Sequence, residues 1–212
     1  MEKSSVNYYS YTRKEILPML PENISKVLEI GCGAGNTLAF VKQLKDCEWA
    51  GGVEICSSAA KEALGKVDMV LTGNIESINL EIEPNSLDLI LCLDVLEHLI
   101  DPLAVLKKLY EITKPGGTVI IILPNVRYYK ASFNLLFLDK WDYTEEGVLD
   151  KSHLRFFVKD TAVKLLKSSG YELEKISCLG PLDRYIGGMA KIIPGPILSF
   201  FTRQYMMKGV KK

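Results

Sequence analysis

The alternation of short apolar runs with amphipathic stretches from residue 26 onward constrains this fold more than any other feature. Residues 26–30 are a compact strand-like run, and after a glycine-rich turn the apolar residues of 36–45 recur at helical spacing. Residues 87–93 are nearly all apolar, which is typical of a strand buried on both faces. This alternation predicts a parallel sheet covered by helices on both faces. The predicted strands are 26–30, 49–55, 67–71, 87–93, 118–123 and 171–178, and the predicted helices are 36–45, 57–64, 102–112 and 160–169.

Composition and charge fit one folded domain and argue against several classes of protein. The 212 residues suit a single domain, 1–212, since a domain averages about 150 residues. Basic and acidic residues number 26 each, so the charge does not suggest binding to nucleic acid. The five cysteines form no C-x-x-C pair and no cluster with histidine. We therefore expect no metal site and a cytoplasmic location. We also expect neither a secretory signal nor a membrane span, because no apolar run of the required kind occurs. The oligomeric state is not predicted.

Two segments depart from the regular alternation. The segment 125–157 is rich in aromatic residues, and we interpret it as an insertion or lid between sheet elements. The segment 186–207 is apolar and has Lys and Arg at its flanks. It either packs on the domain as a final strand and helix, or makes weak contact with a membrane surface or a lipid-linked substrate.

The segment Val-Leu-Glu-Ile-Gly-Cys-Gly-Ala-Gly at 27–35 carries the strongest chemical signal. A strand that enters a glycine-rich turn and then a helix lets the backbone approach a ligand closely. The spacing is G-x-G-x-G, whereas a dinucleotide fingerprint would have glycine in place of Asn36. Glu54 stands at the end of the second strand, where an acidic residue accepts hydrogen bonds from ribose hydroxyls. Its alternative role is that of a solvated loop glutamate.

With four later segments, this loop resembles the class I S-adenosylmethionine (SAM)-dependent methyltransferases, and in particular their small single-domain branch. The matching segments are 27–35, 52–54, 73–76, 88–98 and 114–117, with a weaker likeness at 150–157 and 169–171. The resemblance implies a Rossmann-like, doubly wound α/β fold. Its mostly parallel seven-stranded sheet would have helices on both faces and an antiparallel last strand. The resemblance also implies SAM as cofactor, S-adenosylhomocysteine (SAH) as product, and a segment 1–25 that covers the cofactor.

The resemblance assigns cofactor contacts to Tyr9, Arg13, Glu29, Gly31, Cys32, Gly33, Gly35, Glu54, Ile55, Asn74, Ile75, Leu93 and Asp94. In that series, Glu29 and the glycine loop would hold the methionine end of SAM, and Glu54 would bind the ribose. Ile55, Asn74 and Ile75 would surround the adenine. Leu93 and Asp94 would lie beneath the sulfonium. Many relatives have Asp in place of Asn74, although an asparagine can still accept from the adenine amino group. Arg13 would suit the methionine carboxylate, with a solvated helix arginine as the alternative.

An oxygen or nitrogen acceptor must lose a proton, so a base near the same sheet edge is expected. The chain has two histidines, and both are candidates. His98 is either a base or a brace for the loop after the fourth strand. His153 is either a base or acceptor-orienting group or a structural histidine, and we expect the active-site role. We expect Phe156 and Phe157 to fill core space.

Three classes of function follow from these features. The first is an enzyme that transfers a methyl group from SAM to oxygen or nitrogen of a small-molecule, glycan or lipid-linked acceptor. The second is a SAM-binding partner or sensor without catalysis. The third is a nicotinamide oxidoreductase, which the asparagine at position 36 disfavours. Nucleic-acid methylation is disfavoured because the fourth strand leads into Leu-Asp-Val-Leu and not into an Asn-Pro-Pro-Tyr type of loop.

Overall fold

The computed structural model describes residues 10–180 and 195–212. Its strands are β1 Lys26–Ile30, β2 Trp49–Glu54, β3 Met69–Thr72, β4 Leu87–Leu93, β5 Thr113–Pro124, β6 Glu172–Leu179 and β7 Gln204–Val210. Its helices are α1 Asn36–Lys45, α2 Ser57–Ala63, α3 Pro102–Ile112, α4 Tyr129–Leu138, α5 Lys159–Ser168 and α6 Gly195–Phe201. Short 3₁₀ helices lie at Lys14–Met19 and Leu96–His98.

The strands form one seven-stranded sheet in the order β3-β2-β1-β4-β5-β7-β6. The pairs among β1 to β5 are parallel, and β7 runs antiparallel to both β5 and β6. The predicted mostly parallel sheet with an antiparallel last strand is confirmed. Chain order reverses between β1 and β4, and in open α/β sheets ligands bind outside the carboxyl ends of the strands at such a point.

Apolar side chains fill both faces of the sheet because successive residues of a strand point to opposite sides. One cluster includes Ile90 and Cys92 of β4 and side chains of α3 and α5. The other includes Leu89 and Leu91 of β4 and side chains of α1 and of the first 3₁₀ helix. This burial on both faces explains why β4 is apolar along almost its whole length.

Most predicted elements begin and end within one or two residues of the observed bounds. The exception is β5, which begins earlier than predicted. The predicted strand began at Thr118, whereas the observed strand begins at Thr113, directly after α3. In the register with β4, Thr113 pairs with Leu87 and Thr118 with Leu89, so residues 114–117 bulge out of the ladder. Gly116, at φ +79°, has the left-handed conformation that such a bulge requires.

The segment 125–157 contains α4 and then returns to the sheet. Most of α4 is exposed, and Ala131 is its buried residue. Phe157 joins the main core, whereas Phe156 packs on Trp141 beside a small separate cluster. The core role that we expected of Phe157 is thus confirmed.

The C-terminal segment is part of the sheet where the structure describes it. β7 lies between β5 and β6, and Tyr205, Met206 and Met207 are buried. This packing is the first of the two alternatives for the tail, and residues 186–194 of that prediction lie outside the described residues. In the described ranges, no helix combines the length and the apolar character needed to cross a bilayer.

Candidate active site

A cavity of about 410 Å³ lies at the carboxyl ends of the parallel strands. It is lined by residues that follow β1, β2, β3 and β4, by Tyr11 and Arg13 of the N-terminal segment, and by Ser152 of the segment 125–157. Parallel strands end at the same edge of a sheet, so motifs distant in sequence meet here. A volume of this size is typical of a small-molecule site.

The glycine loop between β1 and α1 forms one wall of the cavity. The backbone N–H groups of Gly31 and Cys32 donate to the carbonyl of Val53, which fixes the loop on β2. Gly35 caps α1 in the left-handed conformation, at φ +77°, and a Cβ there would lie 2.9 Å from the Cβ of Ala63. Gly35 therefore shapes the loop without lining the cavity.

Glu54 is buried at the end of β2 and lines the cavity. Its carboxylate accepts a hydrogen bond from the backbone N–H of Gly33 at 2.8 Å and another from the N–H of Cys56 at 2.8 Å. A carboxylate has about four acceptor positions, so two more hydrogen bonds can be accepted. The alternative of a solvated glutamate is excluded by this burial.

Glu29 is buried in the same wall, and its Oε2 has no hydrogen-bond partner within the described part of the chain. Burial raises the pKa of the Glu29 carboxyl from its ordinary value of 4.5 to about 8, and the positive charge of Arg13 opposes the rise. An unpaired buried acceptor costs free energy unless a ligand donor reaches it. Glu29 is therefore suited to bind a cationic donor.

Arg13, Asp94 and Gln204 form a network across one end of the cavity. The Arg13 guanidinium forms an ion pair with Asp94 Oδ2 and donates to Glu15 Oε1 at 3.2 Å, and Gln204 Nε2 donates to Asp94 Oδ1. Asp94 has a left-handed backbone at φ +55°, and burial raises the pKa of its carboxyl, while Arg13 lowers it. Arg13 is thus not the solvated arginine of the alternative interpretation.

Apolar and amide groups line the part of the cavity after β2 and β3. Ile55 is 70% exposed, which is unusual for a large apolar residue beside a cavity. Ile75 is buried, and Asn74 Oδ1 accepts the N–H of Glu76 at 2.9 Å. Leu93, at the end of β4, is buried at the base of the cavity.

Glu97, His98 and His153 form a compact cluster beside the cavity. One possible ligand atom from each lies within 4.8 Å of the others, and the two imidazole rings meet edge to face with centroids 4.8 Å apart. His98 lines the cavity, whereas His153 is buried behind it. Burial, with a contribution from Asp94, raises the pKa of the Glu97 carboxyl well above its ordinary value.

Most residues predicted to contact the cofactor do line the cavity. Tyr9 lies outside the described residues, and Gly35 acts from behind the loop. Sequence reasoning missed nine lining residues, namely Tyr11, Ile30, Thr37, Val53, Gly73, Glu76, Val95, Leu99 and Ser152. Gly73 and Val95 each lie two residues beyond the end of a predicted strand, so their positions were available as a signal. Ser152 lies beside His153, whose expected active-site role was the available signal, although no pattern singled out the serine itself.

The family model for a methyltransferase domain matches residues 7–176, which include β1 to β5 and every described cavity-lining residue. Among curated proteins, the chain is 26% identical over 171 residues to the ubiquinone biosynthesis O-methyltransferase of Cupriavidus pinatubonensis, covering 75% of this chain and 68% of that protein. The mitochondrial ubiquinone biosynthesis O-methyltransferase of Schizosaccharomyces pombe is 30% identical over 100 residues, which are 45% of this chain and 36% of that protein. The chain therefore spans between about one third and two thirds of the length of these relatives.

Solved structures share the fold at low sequence identity. A SAM-dependent methyltransferase from Archaeoglobus fulgidus is 18% identical with a TM-score of 0.68, and the match covers 93% of this chain and 91% of that one. A SAM-dependent methyltransferase from Mesorhizobium loti is 13% identical with a TM-score of 0.67, covering 93% and 96% of the two chains. At these identities the likeness concerns the fold.

Proposed function

The chain belongs to the class I SAM-dependent methyltransferases, and we propose that it transfers the methyl group of SAM to oxygen or nitrogen of a small-molecule, glycan or lipid-linked acceptor. SAM is the cofactor of this family and SAH is its product. The observation that carries the proposal is the unpaired carboxyl oxygen of Glu29 in a cavity also lined by the glycine loop and Glu54. The O-methyltransferase relatives favour an oxygen acceptor.

The residues of the cavity fit SAM. Glu29 Oε2 would accept the methionine ammonium, which supplies the donor that this buried oxygen lacks. Glu54, held by two backbone N–H groups, would accept the ribose hydroxyls with its remaining lone pairs. The exposed side chain of Ile55 would be covered by the adenine, with Asn74 and Ile75 at the other side of the ring. Leu93 and Asp94 would lie beneath the sulfonium.

The chain contributes orientation and exclusion of water to an in-line displacement. SAM supplies the electrophilic methyl group when bound. We propose that the N-terminal segment covers bound SAM from one side. The backbone N–H of Arg13 donates to Thr37 Oγ1 at 3.0 Å and Asn36 Nδ2 donates to the carbonyl of Ser10 at 2.8 Å, which holds this segment against α1. The segment 125–157 closes another side through Ser152, whose carbonyl accepts from His98 Nδ1 at 3.1 Å. We propose that His98, which lines the cavity, and His153, which packs against His98, act on the acceptor.

Methyl transfer itself tests the proposal. Purified protein is incubated with methyl-labelled SAM and a panel of acceptors, beginning with ubiquinone precursors that carry a ring hydroxyl, followed by sugars and lipid-linked glycans. Transfer of label to one acceptor class, reduced in Glu54→Ala at limiting SAM, is the expected result. Binding of SAM without transfer to any member would favour the non-catalytic partner or sensor instead.

His153→Ala tests the acceptor side separately. We expect turnover to fall by about 10²–10⁴-fold, the range for loss of a group that handles the acceptor proton. SAM affinity should stay nearly unchanged because His153 does not line the cavity. Lys151→Ala, an exposed change in the same segment, is the matched control. Full turnover of His153→Ala would make His153 a structural residue.

A further inference from the structure

Two buried side-chain oxygens in the described part of the chain lack a hydrogen-bond partner, Glu29 Oε2 and Glu97 Oε2. The methionine ammonium of SAM would satisfy the first. The second belongs to a side chain that is 1% exposed and does not line the cavity, so SAM does not account for it. A buried carboxylate left in this state is costly unless a proton or a cation is added.

The two histidines beside Glu97 are oriented in the way that metal ligands are. His153 Nδ1 lies 3.0 Å from the carbonyl of Val148, and His98 Nδ1 lies 3.1 Å from the carbonyl of Ser152. A carbonyl only accepts, so both Nδ1 atoms carry a proton, and Nε2 is the nitrogen through which each ring would coordinate a cation in its neutral form. His153 Nε2 faces Glu97 Oε1 at 3.9 Å. Histidine ligands of metals usually donate their second nitrogen to a backbone carbonyl or a carboxylate in this manner.

The backbone holds the three side chains together. The carbonyl of Glu97 accepts the N–H groups of Leu154 and Arg155 at 2.8 and 3.0 Å, so the segment after His153 is joined to the loop after β4. One ligand atom from each side chain lies within 4.8 Å of the other two. Around a zinc-sized ion such atoms stand about 3–3.5 Å apart, so a contraction of up to about 1.5 Å would close the site.

We propose that Glu97, His98 and His153 bind one divalent transition-metal cation at the acceptor side of the cavity. Two imidazoles and one carboxylate form a ligand set typical of zinc and of other first-row metals, whereas magnesium prefers oxygen ligands. His98 belongs both to this cluster and to the cavity wall, so a further coordination position of the ion would face the acceptor.

The binding of a cation by this cluster is independent of the proposed function. The role of that cation in catalysis rests on the proposed methyl transfer. A hydroxyl bound to such a cation ionises more readily, and its proton passes to water. The oxygen then forms a bond with the methyl carbon of SAM while the carbon–sulfur bond breaks. The electron pair stays on sulfur, so the products are a methyl ether and SAH. In this role the histidines act as ligands and not as bases.

Metal titration tests the site without knowledge of the acceptor. Tag-free protein is stripped with a chelator and titrated with Zn²⁺ by calorimetry and with Co²⁺ by visible absorption. We expect one cation per chain, with affinity at least about tenfold lower in His98→Ala, His153→Ala and the nearly isosteric Glu97→Gln. Cys56→Ser and Cys178→Ser, which change partly exposed thiols, should bind as the unchanged protein does.

Binding of SAH, measured on every variant, separates this proposal from the proposed function. Normal SAH binding with loss of the cation in Glu97→Gln and His153→Ala, whose residues do not line the cavity, supports the metal site and shows that these variants are folded. If the unchanged protein and all three cluster variants bind Zn²⁺ with equal affinity, the proposed site is wrong. It is also wrong if only the cysteine variants lose the cation. Absence of SAH binding with intact cation binding would contradict the proposed function and leave the site standing.

Discussion

At the scale of single residues, the ionisation of Glu29 should govern how cofactor affinity depends on pH. Burial raises the pKa of this carboxyl to about 8, and the methionine ammonium requires its charged form. SAH affinity should therefore rise about tenfold from pH 6 to pH 7 and level off towards pH 8, where the carboxyl is half ionised. Above that pH the ligand amine itself loses its proton. Calorimetric titration of SAH across this range measures the slope.

Glu29→Gln should abolish this slope and weaken binding, whereas the exposed Glu111→Gln should keep both slope and affinity. The free energy of unfolding of the ligand-free protein should fall as pH rises, whereas the affinity for SAH increases. The folded protein without ligand holds a proton on Glu29 between pH 4.5 and about 8, so the stability contributed by that proton is lost as pH rises through this window. A slope that persists in Glu29→Gln would assign the titration to another group.

Glu54 should contribute to cofactor affinity in two ways. Glu54→Ala removes the ribose acceptors and also the acceptor of the Gly33 N–H, and we expect SAH to bind more weakly by about 1.5–3 kcal/mol. Glu54→Gln keeps one acceptor oxygen and should lose less. The affinity itself should be in the micromolar range, the common order of magnitude for enzymes. An unchanged dissociation constant in Glu54→Ala would exclude the ribose role.

At the scale of elements, the contact between the glycine loop and α2 should be sensitive to one added methyl group. Gly35→Ala places a Cβ 2.9 Å from that of Ala63 and forces alanine into the left-handed region. We expect a loss of about 2–3 kcal/mol in the free energy of unfolding, from about 1–2 kcal/mol of backbone strain plus overpacking. Urea unfolding measures it.

The partner change Ala63→Gly divides that loss into its two causes. In the double variant the contact with the Cβ of Ala63 is gone, whereas the strained backbone and the 3.1 Å approach to the Cα of residue 63 remain, so roughly half of the lost stability or less should return. Complete recovery would mean that the left-handed conformation at position 35 costs nothing. No recovery would mean that the clash with α2 is relieved by movement of the loop.

At the scale of the whole molecule, SAM should stabilise the fold because its cavity exists only in the folded protein, where the ends of several strands meet. At 100 times its dissociation constant, a ligand that binds only the folded state adds about 2.7 kcal/mol. For a domain of this size that corresponds to a rise of about 5–10 °C in the midpoint of thermal unfolding. NAD at the same concentration should give no rise, and a shift with NAD alone would revive the oxidoreductase hypothesis.

The position of β7 decides how the tail can be studied. Because β7 pairs with both β5 and β6, a deletion of residues 195–212 would remove an interior strand and expose two edges. Such a deletion would therefore unfold the protein whatever the tail contacts. Point changes at exposed positions of α6, such as Ile197→Ser, are the appropriate variants for measuring contact with lipid.

The sequence by itself determined the alternation of strands and helices, the glycine loop, and the sheet edge at which the cofactor residues meet. These features depend on spacings within a few residues and on the general rule that parallel strands share one carboxyl edge. The helix N-cap at Asp101 is an example, since its side chain accepts from Ala104 only three residues away. Local signals of this kind are readable without the fold.

Only the tertiary structure decided the contacts between residues far apart in sequence. Gln204 reaches Asp94 across 110 positions because β7 enters the sheet beside β5, and no periodicity predicts that insertion. Likewise His153 and Glu97 meet because the segment 125–157 folds back onto the loop after β4. The burial that leaves an oxygen of Glu29 and one of Glu97 unpaired arises from packing on all sides of each carboxyl, and spacing along a chain carries no information about that.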